Sequence, residues 1–141
     1  MTFYKKELEK IRRLVYANNV QIDIIKGVRK FIENNYQDNL NLDSLSNNHF
    51  VSKHHLLRLF KKYYGITPRQ YLTDIRIEKS KEKLKNGMSV TQTCFAVGFE
   101  SLGSFSSLFK AKTGIAPSAF QKKKQLSRNC IHPNSRPLTL K

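Results

Sequence analysis

The sequence predicts an all-α fold in which two small, related helical subdomains are joined by a long linker helix. Apolar residues recur at three- and four-residue spacing through most of the chain, as on the buried face of a helix. Capping residues, glycines and prolines separate these periodic segments. One sequence pattern also occurs twice, at residues 56–68 and, forty-nine residues later, at 105–117. This repeat indicates a duplicated unit. The residues that match in register are Leu59/Leu108, Phe60/Phe109, Lys61/Lys110, Gly65/Gly114, Ile66/Ile115, Pro68/Pro117 and Tyr71/Phe120.

The charge of the chain limits its partners. The 141 residues include 26 Lys and Arg against 10 Asp and Glu, for a formal net charge of +16. An excess of this size predicts a polyanionic partner, either nucleic acid or an anionic membrane surface. No run approaches the length of a membrane-spanning helix. Charged side chains throughout residues 1–20 exclude a secretory signal.

The sequence contains no signal for catalysis or for a cofactor. It has no paired acid and base, nucleophile triad or glycine-rich phosphate loop. Cys94 and Cys130 lack the spacing of a disulfide framework or a zinc site. His54 and His55 are adjacent and point about 100° apart on a helix, so they would not share a metal. We therefore expect no enzyme activity, no cofactor and no metal, in a reduced, cytoplasmic protein.

Residues 1–20 are expected to form an N-terminal helical arm or extension. Leu8, Ile11 and Val15 are spaced as on one face of a helix over residues 3–17, between strongly charged flanks. The pattern leaves three roles open for this segment: a helix that covers the core, an arm that binds a partner, and a frayed terminus.

The first subdomain is expected at residues 21–66. A separate helix over 20–36 should pack across the first copy of the repeat. A short helix should follow the N-cap Asn41, and a longer one should follow the N-cap Ser52. Gly65 then suits a left-handed cap at the end of the longer helix.

The turn between those two helices differs between the copies. Phe50 stands where the second copy has Gly98, and such a turn favours a residue that can adopt positive φ. We expect His49 or Asn48 to take that conformation in place of Phe50.

A long linker helix is expected over residues 67–87. Thr67 is a suitable N-cap, Pro68 suits the first helical position, and Gly87 ends the pattern. From Pro68 to residue 86 the helix would rise by about 28 Å.

The second subdomain is expected at residues 88–123. Ser89 opens a capping-box pattern, and Gly98 makes the turn before a helix near 101–113. Pro117 should start a short helix that reaches Phe120. Residues 124–141 contain two prolines and no acidic residue, which predicts a basic, disordered tail.

Two helices joined by a short turn, present twice on a strongly basic chain, predict paired helix-turn-helix subdomains. In such a unit the second helix enters the DNA major groove and the first braces it over the backbone. A linker of about 28 Å would let two recognition helices enter successive major-groove segments, which lie ~34 Å apart. Because the two copies differ, the DNA site should be asymmetric.

The same segments resemble the DNA-binding domain of the AraC/XylS family of bacterial transcription regulators. The resemblance lies in SKHHLLRLFKKYYGITPRQYL, in the linker IRIEKSKEKL and in VGFESLGSFSSLFKAKTGIAPSAF. At this chain length the sequence is similar to the small standalone MarA/SoxS-type regulators. That resemblance implies an activator that is a monomer on double-stranded DNA, contacts RNA polymerase and takes no small-molecule ligand.

The resemblance also implies that bases are read from exposed positions of both recognition helices. In the first copy these positions are Lys53, His54, Leu57 and Arg58, and in the second they are Leu102, Gly103, Ser104 and Ser107. An arginine can bond guanine bidentately, and the second set contains no Arg, Gln or Asn. We therefore expect the first helix to supply most base discrimination and the second mainly to anchor. Phosphate contacts are expected from Ser52, Lys61, Lys62 and Lys110.

Three functions are compatible with the sequence. The preferred one is a sequence-specific transcription regulator, since the helix-turn-helix unit is duplicated and Arg58 is placed for base readout. The second is a protein that coats nucleic acid through charge alone. The third is a basic module that binds an anionic membrane or a partner protein through residues 3–17. The repeated Phe60 and Phe109, with Leu59 and Leu108, are expected in the core under all three.

Overall fold

The computed structural model describes residues 2–131, and that range is all-α, as predicted. None of its helices has an apolar stretch long enough to cross a bilayer. The helices are α1 (Phe3–Asn34), α2 (Leu42–Asn48), α3 (Lys53–Tyr64), α4 (Pro68–Lys85), α5 (Val90–Ala96), α6 (Leu102–Thr113) and α7 (Pro117–Ile131).

The chain forms two compact units. Unit 1 contains the described residues through Asn35 together with Leu40–Leu72. Unit 2 contains Tyr36–Asn39 and the described residues from Thr73 onward. The sequence placed 36–39 in the first subdomain, and the structure assigns this segment to unit 2. The other predicted domain bounds stay a prediction.

Local capping chemistry explains where several helices begin and end. The Asn41 side chain accepts from Ser44 N at 2.8 Å, and Ser44 Oγ accepts from Asn41 N at 3.1 Å, which completes a capping box. Ser52 Oγ accepts from His55 N at 3.2 Å and starts α3. Gly65 has φ 75° and ends α3 with a left-handed cap. The predicted N-caps Asn41 and Ser52 and the predicted left-handed cap Gly65 are therefore confirmed.

Unit 1 has a core built from one stripe of each of its first three helices. Val28 and Ile32 of α1 are fully buried, as are Leu56 and Phe60 of α3. The ring of Tyr71 adds an aromatic contact, 5.6 Å from the Phe60 ring centroid. Burial of each large side chain contributes roughly 1.5–3 kcal/mol, so this stripe holds α3 against α1.

Unit 2 is organised around a half-buried arginine. Arg76 of α4 donates from Nε to Tyr36 O at 2.8 Å and from its guanidinium to Asp38 O at 2.8 Å. Its guanidinium also lies over the Phe99 ring, 5.6 Å from the centroid. Burial lowers the pKa of Arg76, and nearby Glu100 opposes that shift. The charged hydrogen bonds fix segment 36–39 in unit 2, which explains the correction above.

Two helices are longer than the sequence predicts. α1 is one continuous helix where two were expected, at 3–17 and 20–36. Asn18 and Asn19 have poor helix propensity, but neither breaks a helix as proline or glycine would. α7 continues to Ile131 rather than ending at Phe120, because the lysines and glutamines of 121–125 are good helix formers. The predicted disordered tail is therefore wrong for residues 124–131, and residues 132–141 lie outside the described residues.

The turn of the first helix-turn-helix unit contradicts the sequence prediction. Phe50 itself has φ 57°, whereas His49 caps α2 with φ −113°. Val51 N donates to Ser46 O at 3.1 Å across this turn, and Phe99 N donates to Cys94 O at 3.1 Å at the equivalent turn of unit 2. The two turns therefore share one geometry, and unit 1 places a phenylalanine where unit 2 has glycine.

Replacing Phe50 with glycine should raise the free energy of unfolding by about 1 kcal/mol. The left-handed conformation costs an L-residue roughly 1–2 kcal/mol, and the entropy of glycine in the unfolded chain offsets part of that gain. Phe50 is 95% exposed, so the change removes no core packing. Urea denaturation of the two proteins measures the difference.

The matched control is Gly98→Ala. Gly98 has φ 101°, and an added Cβ would lie 2.8 Å from Tyr36 O and 2.9 Å from Gln37 O. This variant should be destabilised. A loss of stability in Phe50→Gly would contradict the account of the turn.

Candidate nucleic-acid interface

α3 presents its polar face to solvent because its other face is in the core of unit 1. Leu56, Leu59 and Phe60 are at most 2% exposed. The solvent-exposed side of α3 carries all four base-reading residues predicted for the first copy. Lys53, His54, Leu57 and Arg58 are exposed there.

Two of these residues have polar partners within unit 1. Lys53 Nζ forms an ion pair with Asp43 in the first turn of α2. The Arg58 guanidinium lies within hydrogen-bond distance of His55 Nδ1, at 3.3 Å. The sequence did not predict either Asp43 or His55 as a partner of these base-reading residues. The sequence signal that could have found the ion pair was Asp43, the single acidic residue in the first turn of α2.

The ion pair between Lys53 and Asp43 does not lock the lysine in place. The two side chains are 53% and 59% exposed. An exposed pair of this kind contributes about 0–1 kcal/mol, so a phosphate or a base edge can displace the carboxylate at little cost. Lys53 therefore remains available to a polyanion.

α6 presents a smaller and less polar face than α3. On its core side, Phe105 and Phe109 are fully buried. The opposite face carries the predicted residues Leu102, Gly103, Ser104 and Ser107, all exposed. This face offers two hydroxyls and one aliphatic side chain but no charge before Lys110.

Leu108 corrects one core prediction. It is 36% exposed, whereas Leu59, its equivalent in the first copy, is 2% exposed. The long α1 packs on α3, while α6 packs chiefly against the shorter α5 and α7. The helices that pack on α3 and on α6 thus differ, in accordance with the different exposure of Leu59 and Leu108.

The predicted phosphate-binding residues are all exposed and lie at the ends of α3 and α6. Ser52 caps the start of α3, and its hydroxyl can still donate to a phosphate oxygen while it accepts from His55 N. Lys61 and Lys62 lie in the last turn of α3, and Lys110 lies in the last turn of α6. Each lysine also favours the negative end of its helix dipole.

Comparison with known proteins decides the family. A family model described as a helix-turn-helix domain matches residues 45–123, more than half of the chain. The chain belongs to the AraC-type helix-turn-helix family. The transcriptional activator AarP of Providencia stuartii is 33% identical over 102 residues, which are 72% of this chain and 76% of AarP.

Another relative of this AraC-type protein is much longer than the matched region. The uncharacterized regulator YbfI of Bacillus subtilis is 42% identical over 77 residues. That match covers 55% of this chain and 28% of YbfI. The chain thus spans less than a third of YbfI.

Solved structures show the same fold. An AraC-type transcriptional regulator from Chromobacterium violaceum has a TM-score of 0.67 at 27% identity, with 72% of this chain and 92% of that chain covered. The DNA-binding domain of AdpA, solved in complex with a target DNA, has a TM-score of 0.71 at 20% identity and covers 74% and 95%. At that identity the AdpA comparison shows the fold alone.

Removing the Ser52 hydroxyl should destabilise unit 1. Ser52→Ala deletes the N-cap of α3 and should lower the free energy of unfolding by about 1 kcal/mol. Ser107→Ala is the matched control, because Ser107 lies exposed within α6 and alanine has the higher helix propensity. Urea denaturation should show the control unchanged or slightly stabilised, and equal losses in both variants would contradict the capping role.

Proposed function

We propose that the protein is a sequence-specific, double-stranded DNA-binding transcription regulator. One observation carries the proposal: on a chain of net charge +16, α3 exposes Lys53, His54 and Arg58 to solvent. A helix of this kind fits the major groove, where such side chains reach base edges. Each unit would insert its recognition helix, α3 or α6, into its own major-groove segment of one asymmetric site.

The two helices would have unequal roles. Arg58 can bond guanine O6 and N7 bidentately, and Lys53 and His54 can donate to acceptors nearby. On α6, Ser104 and Ser107 suit phosphates or weak base contacts, and Leu102 suits a thymine methyl. Base discrimination would therefore come mainly from α3, while α6 anchors the complex with the help of Lys110.

The direction of regulation and the partners are further parts of the proposal. AarP is a transcriptional activator, which supports activation by this chain. Contact with RNA polymerase is part of the proposal as the means of that activation. The AdpA domain was solved on its target DNA, which supports a DNA complex for the shared fold. A single chain carries both recognition helices, so one copy would be sufficient to occupy one site.

A second candidate function is binding to nucleic acid through charge alone. The observation that favours it is the α6 face, which has no base-reading charge among Leu102, Gly103, Ser104 and Ser107. In that case affinity would come only from phosphate contacts and counterion release.

The Arg58→Ala variant tests base readout. Its affinity for a duplex selected from a random pool should fall by about 5- to 150-fold, which corresponds to about 1–3 kcal/mol for one bidentate contact. Its affinity for random duplex should change much less. Arg13→Ala on α1 is the matched control, since it removes the same charge from another exposed site. Equal losses on both duplexes, measured by fluorescence anisotropy, would contradict readout by Arg58.

Salt dependence separates the two functions. A protein that neutralises six to ten phosphates loses roughly 10³–10⁵ in affinity between 50 and 200 mM salt. A sequence-specific regulator should keep its preference for the selected duplex at the higher salt, because base contacts do not release counterions. A preference that disappears with rising salt would favour the coating function.

A Ser52→Asp variant tests the phosphate contact at α3. Aspartate is as good an N-cap as serine, so stability should be kept. Its carboxylate would repel a phosphate, and affinity for selected and random duplex should fall together, by roughly tenfold. Unchanged affinity in a stably folded Ser52→Asp protein would remove Ser52 from the interface.

A further inference from the structure

The N-terminal arm, residues 3–20 of α1, is a helix without a covered face. Every arm residue except Glu7 is exposed. The packed part of α1 begins at Gln21, whose Oε1 accepts from Tyr63 OH at 3.2 Å, and it includes Ile25 at 2% exposure. The arm therefore extends α1 by about 27 Å beyond the part that packs in unit 1.

One face of the arm is apolar in a regular pattern. Tyr4, Leu8, Ile11 and Val15 are 71%, 37%, 52% and 53% exposed. Their spacing of four, three and four residues is that of the a and d positions of a coiled-coil heptad repeat. Such a face is buried in proteins when a second helix packs on it.

We propose that the arm forms a parallel coiled coil with the arm of a second copy of this chain. The seam would consist of Tyr4, Leu8, Ile11 and Val15 from each copy, and the two helices would part at Asn18, beyond which α1 enters the core of unit 1. The proposal concerns the arm alone and does not depend on DNA binding by α3 or α6.

Charges beside the seam select a second copy in parallel orientation. In the heptad set by Leu8 and Ile11, Glu7 takes a g position and Arg12 takes the following e position. In a parallel pair the g residue of one helix faces the following e residue of the other. Glu7 of each copy would therefore pair with Arg12 of the other copy, which gives two ion pairs, one on each side of the seam. An antiparallel pair would instead place Lys5 opposite Arg12 of the second copy, which is repulsive.

The same charges argue against a membrane surface as the occupant of this face. A membrane-binding face would also have to include Phe3 and Leu14, which lie beside the seam. Glu7 lies four residues from Phe3 and Ile11 and seven from Leu14, so its carboxylate interrupts this wider apolar face. A helix that lies in a membrane interface needs a continuous apolar face with its charges on the other side. In a coiled coil, a glutamate beside the seam is instead a position that pairs with the partner helix.

Pairing through the arm would replace the expectation of a monomer. Two copies would present four recognition helices to the same DNA molecule. The second copy would then bind at a high effective concentration, so two nearby sites would be occupied together.

Sedimentation equilibrium of the full chain, at about 1 to 200 µM, tests the proposal directly. The wild-type protein should show a monomer–dimer equilibrium. Ile11→Asp should raise the dimer dissociation constant by about 100-fold, because it places two charges in the apolar seam. Tyr16→Asp is the matched control: Tyr16 is 72% exposed on the same helix but lies off the seam, so its dimer should be unchanged.

A charge swap tests the parallel orientation. Glu7→Arg and Arg12→Glu should each weaken the dimer by roughly tenfold, and the double variant should restore it. Circular dichroism and the melting temperature of unit 1 verify that each variant is folded.

Several results would overturn the proposal. These are a monomer throughout the concentration range, equal effects of Ile11→Asp and Tyr16→Asp, a trimer or tetramer, and tighter pairing in Arg12→Glu alone, which would indicate antiparallel arms. Capture of a monomeric chain by phosphatidylserine vesicles, lost in Ile11→Asp, would assign the arm to a membrane instead.

Discussion

The turn between the supporting and the recognition helix is the constraint on which each unit depends. In both units one residue with positive φ reverses the chain, at Phe50 with φ 57° and at Gly98 with φ 101°. A backbone hydrogen bond then closes each turn, from Val51 to Ser46 and from Phe99 to Cys94. This geometry sets the direction in which α3 and α6 start, and therefore which of their side chains face solvent.

The same turn also contributes to the packing of unit 2. Gly98 lies so close to segment 36–39 that a Cβ would come within 3 Å of two of its carbonyl oxygens. Arg76 binds two carbonyl oxygens of the same segment, one of them that of Tyr36. Gly98 and the half-buried Arg76 thus hold segment 36–39 within unit 2. In unit 1 the turn is exposed, which is why a strained Phe50 is tolerated there.

The parts of the fold that depend on local chemistry could be predicted from the sequence. Asn41 and Ser52 cap helices because their own side chains reach backbone amides three residues on, and Gly65 ends a helix because it lacks a Cβ. The core stripe of α3 followed from spacing alone. The placement of Leu108 did not, because its exposure depends on which helices pack against α6.

The sequence did not predict the continuous α1 or the ion pair beside α3, and the two failures have similar physical causes. Two helices were expected, at 3–17 and 20–36, but the poor helix propensity of Asn18 and Asn19 costs only a few tenths of a kcal/mol and does not end a helix that is anchored further on. The ion pair of Lys53 with Asp43 joins two helices, and periodicity within one helix contains no such information. The exposure of the candidate base-reading positions on α3 and α6 was predictable, since a residue away from a buried stripe faces solvent, whereas their role in reading bases stays a prediction.

Selection of bound duplexes from a random pool at physiological salt tests the central claim most directly. The account predicts one enriched, asymmetric motif with two unlike blocks, the more strongly specified block being the one read by α3. Repeating the selection with Arg58→Ala should relax that block and leave the other unchanged. A pool that shows no enriched motif, while the protein still binds DNA, would contradict sequence-specific recognition by the two helix-turn-helix units.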